Sequence, residues 1–328
     1  MARSAAHKDL KKLLNRKLRI HAPAIYYFDM VRRCHSIREA ARRLNVASSA
    51  VNRQILKLED EVGAALFERL PGGLRLTAAG EILTRHVSVL LQDVERVRGE
   101  LDGLNGVQTG HVEIATVEGA TVELLPAALK RMRERYPKVT VGVTVQGSQS
   151  IPGAVVNGQA DLGLAFALPR SSETIQVCVG HFRLGALMAP GHPLAGEASV
   201  SYARCCEHGV IQAKSELSVH HLIAPLHKRA AAANKPLLQS NSMELARQLA
   251  RQQLGIAFQT RIGVEADLAR GELLHIPLSD QGGIFSDLGL YARKDRDLPM
   301  AVQAMAHLLS EEINLREHQE TPSAPRIS

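Results

Sequence analysis

The stretch Ser36–Gly80, SIREAARRLNVASSAVNRQILKLEDEVGAALFERLPGGLRLTAAG, decides the fold of the N-terminal part of this chain. Its pattern predicts two short helices around a tight turn, followed by a two-stranded wing. Ser36 can cap the first helix together with Glu39 in a reciprocal capping box. Asn45 tolerates the left-handed conformation that ends this helix. Two helices joined by about three residues are typical of the helix-turn-helix, whose second helix lies in the DNA major groove.

The second helix of this motif is expected to begin at Ser48 or Ser49. Its core face is predicted to consist of Val51, Ile55, Leu58 and Val62. Base contacts are expected from the start of the helix, at Ser48, Ser49, Asn52 and Arg53. Phosphate or wing contacts are expected from Arg38, Arg42, Arg43, Lys57, Arg69 and Arg75. The alternative is that half of these cations face solvent and never contact DNA.

This stretch resembles the DNA-binding domain of LysR-type transcriptional regulators. The matching positions are Phe28, Ser36, Ala40, Ala41, Leu44, Val46, Ala50, Val51, Gln54, Ile55, Leu58, Glu59, Gly63, Leu66, Phe67, Arg69, Leu76, Thr77 and Gly80. Two positions depart from the family pattern. Asn52 stands where members usually carry Ser, and the wing tip 71–73 lacks the basic residue that is common there. The resemblance implies a sequence-specific DNA-binding transcriptional regulator, and the departures affect the preferred operator rather than the fold.

The charge distribution supports a nucleic-acid partner for the N-terminal part. Residues 1–80 hold 16 Lys and Arg against 7 Asp and Glu, whereas the remaining 248 residues hold 24 against 26. The excess positive charge therefore coincides with the helix-turn-helix, as phosphate binding requires. The alternative is a charge run that only keeps the protein in solution. Residues 1–22 form a basic extension, either an arm that adds nonspecific DNA contacts or a plain disordered extension.

A long helix is predicted over residues 78–106, with Thr77 as its cap. Its apolar positions follow a heptad spacing: Leu83, Val87, Leu90, Val94, Val97, Leu101 and Leu104. Such a seam favours a dimerising helix over one packed only on its own domain. The resemblance implies that this linker helix pairs two subunits on an inverted-repeat operator, in a homodimer or homotetramer. RNA polymerase is a further expected partner if the protein activates transcription. The segment Gly103–Gly110 is predicted to be a hinge.

From His111 onward, predicted strands and helices alternate in βαβαβ order, which indicates a parallel, doubly wound sheet. Four stretches, LLPAALKRMRERYPKVTV (124–141), NGQADLGLAF (157–166), APGHPLA (189–195) and LARQQLGIAF (249–258), resemble the effector-binding domain of the same family, which is similar to periplasmic solute-binding proteins. The resemblance fades over residues 199–235 and extends to about Glu312, and the domain is predicted to cover residues 110–315. The predicted fold is thus α/β: a winged helix-turn-helix over 23–80, a long linker helix and a two-subdomain effector-binding domain. The resemblance implies crossings between subdomains near Phe166–Pro169 and near Gly263–Leu278. Residues 316–328 are predicted to be a disordered tail.

A small-molecule effector is expected where strands end and helices begin, because ligands of open parallel sheets bind beyond the carboxyl ends of the strands. Three such turns carry small or hydroxylated residues: 118–121, 147–150 and 240–242. The candidate effector-binding residues are Gly119, Ala120, Thr121, Ser148, Ser150, Phe166 and Ser242. Simple helix capping is the alternative for Thr121, Ser150 and Ser242. These turns contain no Arg or Lys, so no ion pair for a carboxylate is visible.

The sequence carries no motif that indicates an enzyme. It lacks a nucleophile elbow, a phosphate-binding loop, a dinucleotide fingerprint and a paired metal motif, so neither catalytic residues nor cofactors are expected. It also lacks a signal peptide and an apolar stretch long enough for a membrane span, which favours a cytoplasmic, nucleoid-associated protein. Two alternatives remain open. One is a solute-binding protein, for residues 111–312 taken alone; the other is a regulator with a vestigial pocket that acts without a ligand.

Overall fold

The structure is a computed structural model that describes residues 21–104, 109–168, 171–230, 238–294 and 297–320. The chain divides into two compact units, Met1–Val107 and Gln108–Ser328. Most of the predicted basic extension 1–22, and residues 105–108 of the predicted hinge, lie outside the described residues. None of the helices in the described ranges is both long and apolar enough to span a membrane.

The first unit is a winged helix-turn-helix followed by a long helix, as predicted. Its elements are α1 (Pro23–Cys34), α2 (Ile37–Leu44), α3 (Ser48–Val62), β1 (Phe67–Leu70), β2 (Gly73–Leu76) and α4 (Ala78–Leu104). The wing is an antiparallel pair in which Phe67 lies opposite Leu76. Val51, Ile55 and Leu58 are buried in the core of this unit. Val62 is 45% exposed, so its predicted core position was wrong: it is the last residue of α3, directly before the left-handed Gly63.

Local signals at the ends of α2 act as predicted, with one difference. The Ser36 hydroxyl accepts a hydrogen bond from the Glu39 amide at 3.3 Å, and Asn45 ends the helix in the left-handed region with φ 55° and ψ 48°. The Glu39 carboxylate, however, binds Arg42 and Arg43 instead of returning to the cap. Only half of the reciprocal capping box therefore forms, because two nearby guanidinium groups are stronger partners for a carboxylate than one amide.

The apolar seam of α4 serves its own domain over the first turns of the helix. Thr77 caps the helix, with its hydroxyl accepting from the Gly80 amide at 3.0 Å. Val87 is buried in the core of the first unit and Leu83 packs against that core. These two residues therefore pack within their own domain, and their part in pairing two subunits stays a prediction. Further along the seam, Leu90 and Val97 are half-buried, Val94 is buried and Leu101 is 47% exposed.

The second unit is built from two α/β subdomains. Its elements are β3 (Gly110–Thr116), α5 (Leu124–Arg135), β4 (Val139–Val145), α6 (Ile151–Val156), β5 (Leu162–Phe166), β6 (Thr174–Arg183), β7 (Gly185–Met188), α7 (Tyr202–Cys206), β8 (Ile211–Ala213), α8 (Ser218–Ala230), β9 (Leu238–Ser240), α9 (Met243–Arg251), β10 (Ala257–Gln259), α10 (Glu265–Ala269), β11 (Leu274–Pro277), β12 (Phe285–Arg293) and α11 (Met300–Glu320). Short 3₁₀ turns lie at Glu118–Thr121, Ser148–Ser150 and Asp280–Gly282.

The first subdomain has a mixed five-stranded sheet in the order β4-β3-β5-β12-β6. The strands β4, β3 and β5 are parallel, as the βαβαβ pattern predicts. Strand β12 runs antiparallel to both β5 and β6, so the sheet is not parallel throughout. The second subdomain has an antiparallel sheet in the order β10-β7-β11 and a parallel pair, β8 and β9. Each subdomain buries its own apolar core.

The chain crosses between the subdomains later than predicted. The first crossing lies between β6 and β7, because β6 still pairs with β12 in the first sheet and β7 belongs to the second. The predicted crossing at Phe166–Pro169 was therefore wrong. The return lies after Leu278, between β11 and β12, so the predicted return at Gly263–Leu278 was also too early. Both errors arise from strand pairings that are distant in sequence.

The predicted disordered tail was wrong for residues 316–320, which continue α11. Arg316 binds Glu265 at 3.1 Å and Glu312 at 2.5 Å. The Glu320 carboxylate accepts a hydrogen bond from the backbone amide of Arg183 at 2.7 Å. These contacts fix the last turns of the helix on the rest of the unit. Residues 321–328 lie outside the described part of the chain.

Candidate DNA interface and ligand cavity

The start of α3 presents an open helix end. Ala47 precedes the helix without a side-chain capping bond, and the first turn contains no acidic residue. Ser48, Ser49 and Arg53 are exposed and Asn52 is half-buried. Because the first amide groups of a helix carry a partial positive charge, this end suits a phosphate oxygen. The hydroxyl, amide and guanidinium groups beside it suit base edges.

The remaining predicted DNA-binding cations fall into two groups. Arg38 and Arg69 are exposed, and like Arg53 they make no ion pair with another described residue. The others are paired on the protein itself: Arg42 and Arg43 with Glu39 at 2.7 and 2.8 Å, Lys57 with Glu61 at 3.5 Å, and Arg75 with Glu68. The paired cations would meet phosphate only in competition with these carboxylates.

The Glu39 carboxylate is the anionic centre of this surface. Hydrogen bonds from Arg42 and then Arg43 lower the pKa of Glu39 to about 2. The same contacts raise the pKa of both guanidinium groups. Glu39 therefore stays charged at neutral pH and holds the guanidinium groups of Arg42 and Arg43 in place. This pairing limits how far the two side chains can extend toward a phosphate.

A cavity of about 330 Å³ lies between the two subdomains of the second unit. Both subdomains line it, and the lining residues include Val117, Glu118, Gly119, Gln146, Ser148, Phe166, Leu184, Glu216, Ser218, Asn241, Met243, Gln259, Thr260 and Ser286. Each of the three predicted turns contributes to the wall, through Gly119, Ser148 and Asn241 respectively. The volume is at the lower end of the usual range for small-molecule sites.

The predicted effector-binding residues separate into two groups. Gly119, Ser148 and Phe166 lie in the cavity wall. The other four do not line this cavity. Ala120 is fully buried in the core, and the Thr121 hydroxyl donates to the Glu118 carbonyl at 2.6 Å. Ser150 is exposed, and the Ser242 hydroxyl caps α9 by accepting from the Leu245 amide at 3.2 Å. Core packing holds Ala120 and local hydrogen bonds hold Thr121 and Ser242, whereas Ser150 makes no side-chain capping bond. The effector contact of these four residues stays a prediction that the wall of this cavity does not support.

Several lining residues were missed by sequence reasoning. Thr260 and Ser286 are 5% and 4% exposed and bring hydroxyl groups to the wall, and Leu184 brings an apolar surface. Leu184 lies at the first crossing and Ser286 lies in β12 directly after the return, and the positions of both crossings were predicted wrongly. Thr260 directly follows β10, so the rule that ligands bind beyond strand ends was a usable signal for it.

The polar groups of the wall include hydroxyls that are available to a ligand. The Ser148 hydroxyl accepts from the Phe166 amide at 3.3 Å, which leaves its own proton free to donate. Within the described residues, the Gln146 side-chain nitrogen is buried without a hydrogen-bond partner. A buried donor without a partner is costly, so an acceptor on a ligand would relieve it.

The Glu118 carboxylate connects the two subdomains at the edge of the cavity. It accepts hydrogen bonds from the Ser242 hydroxyl at 3.1 Å, the Met243 amide at 2.8 Å and the Glu244 amide at 3.4 Å. It therefore sits on the N-terminus of α9, which belongs to the second subdomain. Glu123 makes a similar contact outside the cavity, accepting from the Ala266 amide of α10 at 2.6 Å.

Metal-ligating residues are not grouped in the described ranges: no three of His, Cys, Asp and Glu come together there in an arrangement suited to a metal ion. Histidines that are close in sequence bind separate groups. His220 contacts the Ala213 carbonyl at 2.8 Å, and His227 contacts the Tyr202 hydroxyl at 3.1 Å.

The comparisons with known proteins cover both units. Residues 23–81 match the model of the bacterial regulatory helix-turn-helix protein, lysR family, and residues 105–314 match the LysR substrate binding domain. The chain is 24% identical over 301 residues to the HTH-type transcriptional regulator BbuR of Bordetella bronchiseptica, covering 92% of each chain. It is 26% identical over 247 residues to a RuBisCO operon transcriptional regulator of Allochromatium vinosum, covering 75% of this chain and 82% of the relative.

Solved structures show the same fold. A full-length OxyR variant from Pseudomonas aeruginosa aligns with a TM-score of 0.70 at 18% identity, over 88% of this chain and 96% of that one. Full-length CbnR in complex with its target DNA aligns with a TM-score of 0.58 at 17% identity, over 88% of this chain and 98% of that one. Both similarities support the winged helix-turn-helix and the α/β substrate-binding domain.

Proposed function

The chain belongs to the LysR family of bacterial transcriptional regulators, and we propose that a small molecule bound between its subdomains changes how it holds DNA. The observation that carries this proposal is the cavity of about 330 Å³, in which turns from both subdomains converge. The matched relatives are transcriptional regulators, which favours a non-enzymatic role for this chain.

We propose that α3 reads the operator through Ser48, Ser49, Asn52 and Arg53. Support comes from its open N-terminus and from the exposure of Arg53, which presents a guanidinium group without an ion pair among the described residues. Arg38 and Arg69 are proposed phosphate contacts for the same reason. Arg42, Arg43, Lys57 and Arg75 contribute less, because each is bound to a carboxylate of the protein itself.

We propose that the later part of the α4 seam pairs two subunits on an inverted-repeat operator. Leu83 and Val87 pack inside the domain, whereas Leu90, Val97 and Leu101 retain exposed apolar surface. This pairing produces a homodimer, and two such dimers can form a homotetramer. We expect the protein to act at the bacterial nucleoid in the cytoplasm, with RNA polymerase as a further partner. Sedimentation of a Leu101→Lys variant tests the pairing: dissociation toward a monomer is expected, and an unchanged dimer contradicts it.

The proposed mechanism is a shift between two populations. A ligand that contacts both walls of the cavity stabilises the arrangement of subdomains in which those walls are close. It can change the DNA-bound state only through a difference in affinity between the two arrangements. The linker helix then transmits the change to the spacing of the two DNA-binding domains.

A thermal-shift screen of the full-length protein against small metabolites tests the cavity directly. A ligand at 100 times its dissociation constant adds about 2.7 kcal/mol to the free energy of unfolding. Ser218 lines the cavity at the start of α8, so Ser218→Phe should block binding, whereas the exposed Ser215 does not line it and Ser215→Phe is the matched control. A ligand that still binds Ser218→Phe contradicts the proposed site. A silent screen over a broad library favours a regulator that acts without a ligand.

A further inference from the structure

The ionisable side chains in the wall of the cavity are acidic. Its ionisable lining residues are Glu118 and Glu216, and no Arg, Lys or His of the described chain lines it. A carboxylate that leaves water for a small, partly apolar site needs an opposite charge or several hydrogen-bond donors to offset its lost hydration. Two carboxylates already present in the wall repel a third one on a ligand.

The natural anion-binding position in this wall is already filled by the protein. Met243, the first residue of α9, lines the cavity, so the N-terminus of this helix brings a partial positive charge to the edge of the wall. The Glu118 carboxylate occupies that position, with three donors from Ser242, Met243 and Glu244. The Ser242 hydroxyl also caps the helix by accepting from the Leu245 amide. A ligand carboxylate would have to displace Glu118 to reach these donors.

The other groups in the wall can bind a molecule without negative charge. Ser148, Thr260 and Ser286 are nearly buried hydroxyls that can donate to or accept from neutral polar groups. Phe166 and Leu184 provide an apolar surface. Glu216 is exposed, with a single long hydrogen bond of 3.4 Å from the Ser215 hydroxyl, so it can attract a cationic group at the rim.

On the premise that the cavity is the effector site, we propose that it takes an uncharged or cationic molecule with an apolar part. Glu118 is then the specificity-determining residue: it holds the α9 N-terminus in place of a ligand carboxylate and so excludes organic anions. Removing Glu118 should convert the cavity into an anion site, because the amides of α9 and the Ser242 hydroxyl lose their internal partner.

The test compares benzoate with benzamide, which match in size and differ in charge, on the full-length protein at constant ionic strength. Isothermal titration of Glu118→Ala is expected to show roughly tenfold tighter benzoate binding than the wild type, the gain that a helix terminus gives an anion. Benzamide should not show this gain. Glu123→Ala is the matched control, because it removes a helix-end carboxylate that does not line the cavity.

Two results overturn the inference. Benzoate binding of equal strength to the wild type and to Glu118→Ala would show that Glu118 does not exclude anions. No benzoate binding to Glu118→Ala would show that the vacated helix end is not an anion site, provided that the variant is folded by circular dichroism. If that variant fails to fold, Glu118→Gln replaces it, since it keeps the size of the side chain and removes the charge.

The metabolite screen separates failure of this inference from failure of the proposed function. A carboxylic acid that binds the wild type and is blocked by Ser218→Phe would overturn the charge selectivity and leave the cavity as the effector site. Ligands that bind regardless of Ser218→Phe would overturn the site itself. If all the ligands that Ser218→Phe blocks are uncharged or cationic, the result supports both the cavity as the effector site and its selectivity against anions.

Discussion

The N-termini of α3 and α9 differ in whether the protein itself occupies them: that of α3 is open, and that of α9 is occupied by a carboxylate. Both follow small or hydroxylated residues, and both would attract an anion. The first has no side-chain cap and no acidic residue in its first turn, so it is open to a phosphate. The second holds the Glu118 carboxylate and the Ser242 cap, so it is closed to one. A helix start in the sequence therefore does not identify an anion site until its tertiary partner is known.

Core substitutions should produce the largest effects and should show that the two regions respond separately. Phe28 is fully buried in the first unit, with its ring 5.3 Å from that of Phe67, and Phe182 is fully buried in the second. Replacing either by Ala should cost about 3–5 kcal/mol of unfolding free energy. Differential scanning calorimetry should show Phe28→Ala lowering one transition and Phe182→Ala lowering the other. A parallel shift of both transitions in each variant would contradict separate units.

Acid should affect the two regions in different pH ranges. In the second unit, burial lowers the pKa of His275 to about 4, with the charges of Arg261 and Arg183 acting in the same direction. The unfolded chain therefore binds more protons than the folded one between pH 6.5 and 4, and stability falls as the pH decreases through this range. The expected loss is about 2 kcal/mol after allowance for partial exposure of the ring.

The matching experiment is urea unfolding of the wild type and His275→Gln between pH 7 and 4. The variant should lose less stability over this range, because its side chain does not titrate. In the first unit, the lowered pKa of Glu39 means that its stabilising contribution is present above pH 4.5 and is lost as the pH falls toward 2. Equal slopes for the wild type and His275→Gln would show that His275 is not the acid-sensitive group.

On the DNA side, Arg53→Ala should cost on the order of 1–3 kcal/mol on the specific operator and relax the base preference. Lys57 lies one turn further along α3 and is bound to Glu61, so Lys57→Ala is the matched control. This control should weaken binding to specific and random DNA alike. Fluorescence anisotropy with an operator selected from random DNA measures both effects. An equal loss on random DNA for Arg53→Ala would reduce Arg53 to a phosphate contact.

The smallest expected change in unfolding free energy comes from serine substitutions at the N-termini of α9 and α3. Ser242→Ala should cost about 0.5–2 kcal/mol of unfolding free energy, because the hydroxyl caps α9 and also donates to Glu118. Ser48→Ala should be nearly neutral for stability, since Ser48 is not the cap of α3 and is exposed. Chemical denaturation gives both values. A cost for Ser48→Ala as large as that for Ser242→Ala would show that the α3 start is not open.

The two regions also differ in how far their sequences predict them. In the first unit the decisive signals are local: the Ser36 cap, the left-handed Asn45 and the apolar spacing of Val51, Ile55 and Leu58 all lie within one contiguous stretch. In the second unit, the crossings depend on β12 pairing with β5 and β6, which no local pattern records.

Local sequence patterns also predict only some of the residues that line the cavity. Gly119, Ser148 and Thr260 follow the ends of strands, where a strand-end rule identifies them, but Ser286 reaches the wall only through the long-range sheet order. Glu118 lies in one of the predicted turns, yet its role depends on a helix more than a hundred residues away in the chain. The seam of α4 is also ambiguous, because an apolar row can satisfy both its own domain and a second subunit.

The most direct test of a ligand-controlled DNA reader is a footprint of the full-length protein on its operator, with and without a saturating cavity ligand from the screen. A change in footprint length or DNA bend is expected for the wild type and for Ser215→Phe, and no change is expected for Ser218→Phe. A wild-type footprint that stays the same at saturation would contradict the proposed coupling between the cavity and DNA.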